Sequence, residues 1–316
     1  MLLLPDLPIE LLIHLLSQVP LRNMYYLLLV SKIFHEAQMT RRRALLDLYE
    51  SRAHPFVRHP CAFKLNFRFL ESSKSIWGNN MSYQFNDGLI ALAAAILPTT
   101  KGGIGVLGRL GRISFMNCQI GDTGFTAFAS ACASGSMGAL KALALKSNEI
   151  GDEGMKAFAT ASGSLGALIS LVLSHNRIGN AGITEFSRAI ASGSLGNLAV
   201  LDLDKNQIGD EGMAAFAAAS GSLRALHELA LSSNQIGDAG MTEFCSAITS
   251  GSLAGLTNLL LDHNKIGDVG MAEFSRAIAS GSLASLDILT VEVADYDYLQ
   301  LNPHLRAACE ARFICL

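Results

Sequence analysis

Four sets of residues could do chemistry, and each must be weighed against plainer work. Gly103, Gly105 and Gly108 spell Gly-x-Gly-x-x-Gly. That run lets a backbone approach a pyrophosphate when it follows a strand and opens a helix. Here the order is reversed, and Gly105 and Gly108 align with Gly163 and Gly166 of a later repeat, so the glycines punctuate the chain. Six cysteines (Cys61, Cys118, Cys132, Cys245, Cys309, Cys315) form no C-x-x-C pair and have no histidine at zinc-ligand spacing. Free thiols in a reducing compartment fit them best. His175 and His263 stand 88 residues apart, too far along a repeating chain to share a metal. No phosphate-binding loop, H-E-x-x-H helix or G-x-S-x-G elbow occurs. The expectation is therefore no catalytic residue, no cofactor and no metal. The fourth set, Asp202, Asp204, Glu228, Asp262 and Glu292, suits recognition: carboxylates on successive repeats can attract a basic segment.

What would align such residues is internal repetition. From Leu110 onward six segments carry L-x-x-L-x-L-x-x-N or its Cys form, ending at Cys118, Asn148, Asn176, Asn206, Asn234 and Asn264. A seventh, Leu286/Leu289/Val291, lacks the Asn. Within each, two apolar residues flank one polar or small position, the alternation of a short strand. Stacked, they make a parallel sheet of seven strands. The Asn column predicts an amide ladder, since one amide both donates and accepts between adjacent coils.

After each Asn comes Ile-Gly-Asp-x-Gly-Met-x-x-Phe or a close variant. Asp152, Asp210, Asp238 and Asp268, with Asn180 as a substitute, are placed to cap the helix that follows them. Met155/Phe158, Met213/Phe216, Met241/Phe244 and Met271/Phe274 share one helical face and read as core behind the strands. Gly163, Gly193, Gly221, Gly251 and Gly281 suit a left-handed helix stop. From Cys118 the ladder positions fall 30, 28, 30, 28 and 30 residues apart, a double unit of 58 with alternating long and short helices.

This alternation resembles the ribonuclease-inhibitor subfamily of leucine-rich repeats over residues 85–294. The resemblance implies an α/β right-handed solenoid with a parallel inner sheet and outer helices. Positions between the leucines then face the concave side, and there the N-terminal half is small and faintly basic while the C-terminal half is acidic. His175 and His263 fall on the rim or in solvent. Residues 295–316 would cap the last coil through a helix opened by Asn302-Pro303, because an open solenoid needs its end covered.

The first 47 residues read differently. Leu7-Pro8-Ile9-Glu10 enters an apolar helix, Pro20 breaks it, and Val30-Ser31-Lys32-Ile33-Phe34 closes a second. The pattern resembles the F-box over about residues 5–47, departing at Arg22-Asn23-Met24 where an acidic residue followed by Leu is usual. That resemblance implies a small all-helical module (1–47) in which Leu7, Pro8, Leu12, Leu16, Val30 and Phe34 meet a Skp-type adaptor of a cullin ubiquitin ligase, with 48–84 as linker or N-terminal cap. The alternative for 1–47 is a helical cap on the first repeat.

Composition narrows the partners. With 24 Lys plus Arg against 27 Asp plus Glu, the net charge of -3 gives no general attraction to nucleic acid or anionic membrane. No apolar run reaches the length of a membrane helix, and the N-terminus lacks a basic secretion leader. A cytoplasmic setting is expected, with Arg41-Arg42-Arg43 a candidate nuclear-import run that more often marks a solvated helix face. The expectation is a non-catalytic protein-binding scaffold, delivering a target for ubiquitination if the F-box resemblance holds. The alternatives are a scaffold without that role and a Ran-type GTPase activator. The activator family shares N-x-I-G-D-x-G but expects an acidic tail where this sequence reads Ala311-Arg312-Phe313-Ile314-Cys315-Leu316.

Overall fold

The structure, a computed structural model, describes residues 75–79, 111–291, 303–311 and 314. The predicted helical module of 1–47, the adaptor-facing Leu7, Pro8, Leu12, Leu16, Val30 and Phe34, the glycines of 103–108 and Glu292 all lie outside these residues.

Among the described residues eight strands form one parallel sheet in chain order: β1 (Ser75–Asn79), β2 (Arg112–Met116), β3 (Ala142–Ala144), β4 (Ser170–Val172), β5 (Val200–Asp202), β6 (Glu228–Ala230), β7 (Asn258–Leu260) and β8 (Ile288–Thr290). The sequence pattern predicts seven, β2 to β8. The eighth, β1, falls in the segment expected to be linker or cap, and its register pairs Ile76 with Ile113 but Gly78 with Phe115. Strands β3, β4, β5 and β7 bury their central Leu while the flanking residues stay partly open, as period-two alternation requires; β2 buries Ile113 and Phe115, and β6 buries Ala230 beside Leu229. The register matches leucine to leucine through Leu143↔Leu171, Leu171↔Leu201, Leu201↔Leu229 and Leu229↔Leu259.

The helices lie behind the sheet: α1 (Gly121–Ala131), α2 (Asp152–Ala161), α3 (Asn180–Ala191), α4 (Asp210–Ala219), α5 (Asp238–Thr249), α6 (Asp268–Ala279) and α7 (Pro303–Glu310). Met155, Met213, Met241 and Met271 are buried with the phenylalanine column Phe125, Phe158, Phe186, Phe216, Phe244 and Phe274. Stacking of Phe125 on Phe158 at 5.4 Å between centroids runs across neighbouring helices. Helix α7 packs on α6 and buries Leu305 and Cys309.

Helices of 10 and 12 residues alternate from α2 to α5, but α6 repeats the 12-residue form, so the double unit stops at the last pair. The helix exits differ by type. Gly193, Gly251 and Gly281, after the long helices, have φ of 80°, 95° and 88°. Gly163 and Gly221, after the short ones, lie instead in 3-10 turns (Ser162–Ser164 and Ser220–Ser222) and need no left-handed backbone. The left-handed stop expected at all five therefore belongs only to the long repeats.

The helix-capping expectation is corrected in direction. Asp152 is the first residue of α2, whose N-cap is Gly151 with no side-chain bond. Its Oδ1 accepts instead from the amides of Gly179 (2.7 Å) and Gly182 (2.9 Å), at the start of α3 in the next coil. Asp122, Asn180, Asp210 and Asp238 reach forward in the same way to Gly151/Gly154, Gly209/Gly212, Gly237/Gly240 and Gly267/Gly270. Because successive helices lie side by side, each of these side chains satisfies orphan amides of the neighbouring helix, and the aspartates place their charge near its positive end.

Candidate inner-face binding site

The side chains open to a partner are those beside the buried leucines, on the strands and in the turn that follows. The Asn column fixes that turn. Asn176 Oδ1 accepts from the Asn148 and Ile150 amides at 3.1 and 3.0 Å, and its Nδ2 donates to the carbonyls of Leu145 (3.0 Å) and Leu173 (2.8 Å). Asn206, Asn234 and Asn264 repeat this link between coils, and Asn148 Oδ1 accepts from Cys118 N at 2.9 Å. At Cys118 the thiol, which donates to the Met116 carbonyl at 3.2 Å, stands in the amide's place.

The residue before each ladder position is left-handed: Asn117, Ser147, His175, Lys205, Ser233 and His263 have φ between 51° and 58°. This backbone disfavours a Cβ, so the turn costs conformational energy in every coil, and the amide network holds it there. The same turn carries both histidines out of the strand. His263 is exposed and His175 is half-buried, with its Nδ1 closed off and unbonded. Burial lowers the His175 pKa, and repulsion from Lys146 and Lys205 lowers it further against the pull of Asp202. The sequence pattern missed those flanking cations.

The acidic residues gather on β5 to β7 and their following turns. Asp204 Oδ1 accepts from Ser232 N at 2.6 Å, while the Asp204 amide donates to Asp202 Oδ1 at 3.1 Å. Burial pushes the Asp204 carboxyl up to about 6, with the Ser232 bond opposing the rise and the neighbouring Asp202 and Asp262 charges adding to it. Glu228 begins β6, partly open. Among the described ion pairs none takes Asp202, Asp204, Glu228 or Asp262.

A folded pKa above the ordinary 3.8 has a definite sign. The folded state holds the Asp204 proton more tightly than the unfolded chain, so this contribution is full below about pH 4 and is lost as pH rises through about 6. Asp204→Asn keeps an oxygen for Ser232 N but removes the charge. It is expected to raise the unfolding free energy at pH 7.5 by about 1 kcal/mol, a figure discounted for the screening of a half-open group, and to change little at pH 3.5. Urea titrations at the two pH values read the difference.

The remaining reactive groups point away from catalysis. Cys118, Cys132, Cys245 and Cys309 are buried; burial pushes Cys132 and Cys245 up to about 12 and Cys309 up to about 11. Cys132, Cys245 and Cys309 are therefore neutral at ordinary pH, when only the thiolate is a good nucleophile. Among the described residues no three His, Cys, Asp or Glu converge to hold a metal, and no helix is long and apolar enough to cross a membrane.

A family model described as Leucine Rich repeat matches residues 140–159, 168–187, 197–217, 223–245 and 256–275. No curated protein matches the sequence. Among solved structures, the chain is similar to a leiomodin-1 actin-binding site 2 structure at 14% identity and TM-score 0.39, over 51% of this chain and 86% of that one. It is also similar to an internalin, inlF, from Listeria monocytogenes at 14% identity and TM-score 0.26, over 78% and 87% of the two chains. A plant ice-binding protein matches at 16% identity and TM-score 0.30, over 61% and 65%. The stacked L-x-x-L-x-L coils, their Asn column and the matched repeats together make the described chain a leucine-rich-repeat solenoid, with its parallel sheet inside and its helices outside.

Proposed function

We propose that the solenoid is a protein-binding scaffold whose inner face, over β5 to β7, takes a basic segment of a partner. The observation that carries this reading is the placement of Asp202, Asp204 and Asp262 on nearby coils with no cation among the described ion pairs, where the Asp202 and Asp262 charges add to the burial that lifts Asp204. A Lys or Arg side chain placed among them offsets the repulsion between these carboxylates and favours the charged form of Asp204. The arrangement suits rim-type electrostatic recognition, so the salt dependence should be steep.

Octa-arginine tests it. Calorimetry at about 50 mM salt, where a Debye length exceeds 10 Å, is expected to show binding that falls at least tenfold in Asp202→Lys/Asp204→Lys. A neutral Asp202→Asn/Asp204→Asn chain should fall between. Unchanged affinity in the charge-reversed chain, with its circular dichroism intact, would sink the proposal.

The F-box resemblance of residues 5–47 supports a finer reading, in which Leu7, Pro8, Leu12, Leu16, Val30 and Phe34 dock a Skp-type adaptor and the solenoid presents a target to a cullin ligase. A purified adaptor is then expected to be retained by the full chain and lost from Leu7→Ala/Pro8→Ala. Equal retention, or none by either chain, leaves the scaffold without a ubiquitin role.

A further inference from the structure

Charge is divided unevenly along this chain. Residues 1–110 carry twelve Lys or Arg against seven Asp or Glu, a balance of +5, while residues 111–291 carry ten against sixteen, a balance of -6. The N-terminal excess is concentrated. Residues 51–70 hold Arg52, Arg58, Lys64 and Arg68 with no carboxylate at all. Four phenylalanines, Phe56, Phe63, Phe67 and Phe69, are interleaved with these cations.

The inner face carries the complementary features. Asp202, Asp204, Glu228 and Asp262 stand on adjacent coils. A second, independent feature lies beside them. Ser174 is 1% exposed, its Oγ has no hydrogen-bond partner, and the β4/β5 register continues to set it next to Asp204. A buried hydroxyl left unpaired is uncommon and calls for a polar group to complete it. Leu260 on β7 and Val200 on β5, both partly open, give apolar ground at either side of the acids.

We infer that residues 51–70 of this same chain are a basic ligand of the inner face, occupying Asp202, Asp204, Glu228 and Asp262 in cis and competing with any external basic segment. The inference rests on the inner face being a site for basic segments, as proposed above.

The tether permits it. Lys64 precedes Ser75, the first residue of β1, by eleven residues, a reach of up to about 36 Å when extended. Strands lie about 4.8 Å apart, so β5 is about 19 Å and β7 about 29 Å from β1 across the sheet. A segment tethered at that range has an effective concentration on the order of millimolar. Weak ion pairs therefore suffice to hold it, and a tighter external segment displaces it. The device sets a threshold: only partners that outcompete the chain's own cations gain the face.

The test uses the full chain, as an equal mixture of nitrogen-14 and nitrogen-15 forms, with a zero-length carbodiimide cross-linker. Lys64 is expected to join Asp202, Asp204, Glu228 or Asp262 in peptide pairs of a single isotope, and the link should disappear at high salt. Links of mixed isotope place the segment on a second copy and overturn the inference; so does the absence of any Lys64 link to these four acids. A second measurement separates this inference from the reading beneath it. The variant Arg52→Glu/Arg58→Glu/Lys64→Glu/Arg68→Glu is expected to bind octa-arginine at least tenfold more tightly than the unaltered chain, because its internal competitor is gone. Binding that is equal in both chains, yet still lost in Asp202→Lys/Asp204→Lys, rejects the internal ligand and keeps the basic-segment site. No binding by either chain rejects both.

Discussion

Replacing Asn176 by alanine is expected to lower the unfolding free energy by about 3 to 5 kcal/mol. Asn176 is 7% exposed, and the four shortest contacts of its amide are with the amides of Asn148 and Ile150, which donate to Oδ1, and with the carbonyls of Leu145 and Leu173, which accept from Nδ2. Three of these four groups belong to the preceding coil. Alanine leaves them buried without partners, and each such group costs about 1 to 3 kcal/mol, partly recovered where water can enter. It also releases the turn that holds His175 at a φ of 58°. Two companion substitutions separate chemistry from size. Asn176→Asp keeps the two accepted bonds but sets a carboxylate against the Leu145 and Leu173 carbonyls, and should cost about as much as alanine. Asn176→Cys, which copies Cys118, should cost less, because a thiol can still donate to a nearby carbonyl as Cys118 does to Met116. Urea unfolding followed by far-ultraviolet circular dichroism ranks the three. If alanine costs less than about 1 kcal/mol, the amide ladder is not what fixes the stacking.

The ladder was legible in the sequence because it depends on one residue type recurring at a fixed offset from a leucine pair. Strands β2 to β8 were legible for the same reason. Strand β1 was not, because Ser75–Asn79 lacks the L-x-L core, placing Gly78 where β2 has Phe115. The forward reach of Asp152 was hidden by a coincidence of position. An acid directly ahead of its own helix looks like that helix's cap, and only the side-by-side placement of α2 and α3 shows that it serves the next one. At the inner face, alternation sets Asp202, Asp204, Glu228 and Asp262 beside the buried leucines, where they stay partly open. What alternation cannot carry is the coupling between coils. The bond from Ser232 N to Asp204 Oδ1, the unpaired Ser174 Oγ and the cations flanking His175 all arise between residues about 28 to 30 apart, brought together by stacking. One signal was present: Ser174, Asp204 and Ser232 occupy a single column of the aligned repeats.

The same forward-reaching acids explain the second glycine of Ile-Gly-Asp-x-Gly and give the other large expected effect. A Cβ built at Gly240 meets Asp210 Oδ1 at 2.7 Å, Asp210 Cα at 2.9 Å and Met213 Cβ at 3.1 Å. The carboxylate could swing away, but the Cα belongs to the backbone of α4, and Met213 is fully buried in the same helix. Gly240→Ala must therefore push α5 off α4, or break the bonds by which Asp210 receives the Gly237 and Gly240 amides at 2.6 and 3.0 Å. Overpacking of this kind costs about 1 to 3 kcal/mol, and losing the charged cap adds about 1 more. Gly240→Ala is thus expected to destabilise the chain by about 2 to 4 kcal/mol, although alanine is the better helix former by about 1 kcal/mol in open helix interiors. Gly166 supplies the contrast: nothing lies within 4 Å of its Cβ position, so Gly166→Ala should be neutral or slightly stabilising. Pairing each with Asp210→Ala completes the argument. Once the acid is cut back, part of the Gly240→Ala penalty should vanish, and the part that remains measures the contact with the α4 backbone. Full additivity of Gly240→Ala and Asp210→Ala in urea unfolding would mean that the close approach of the two coils, and not the carboxylate between them, is what demands glycine.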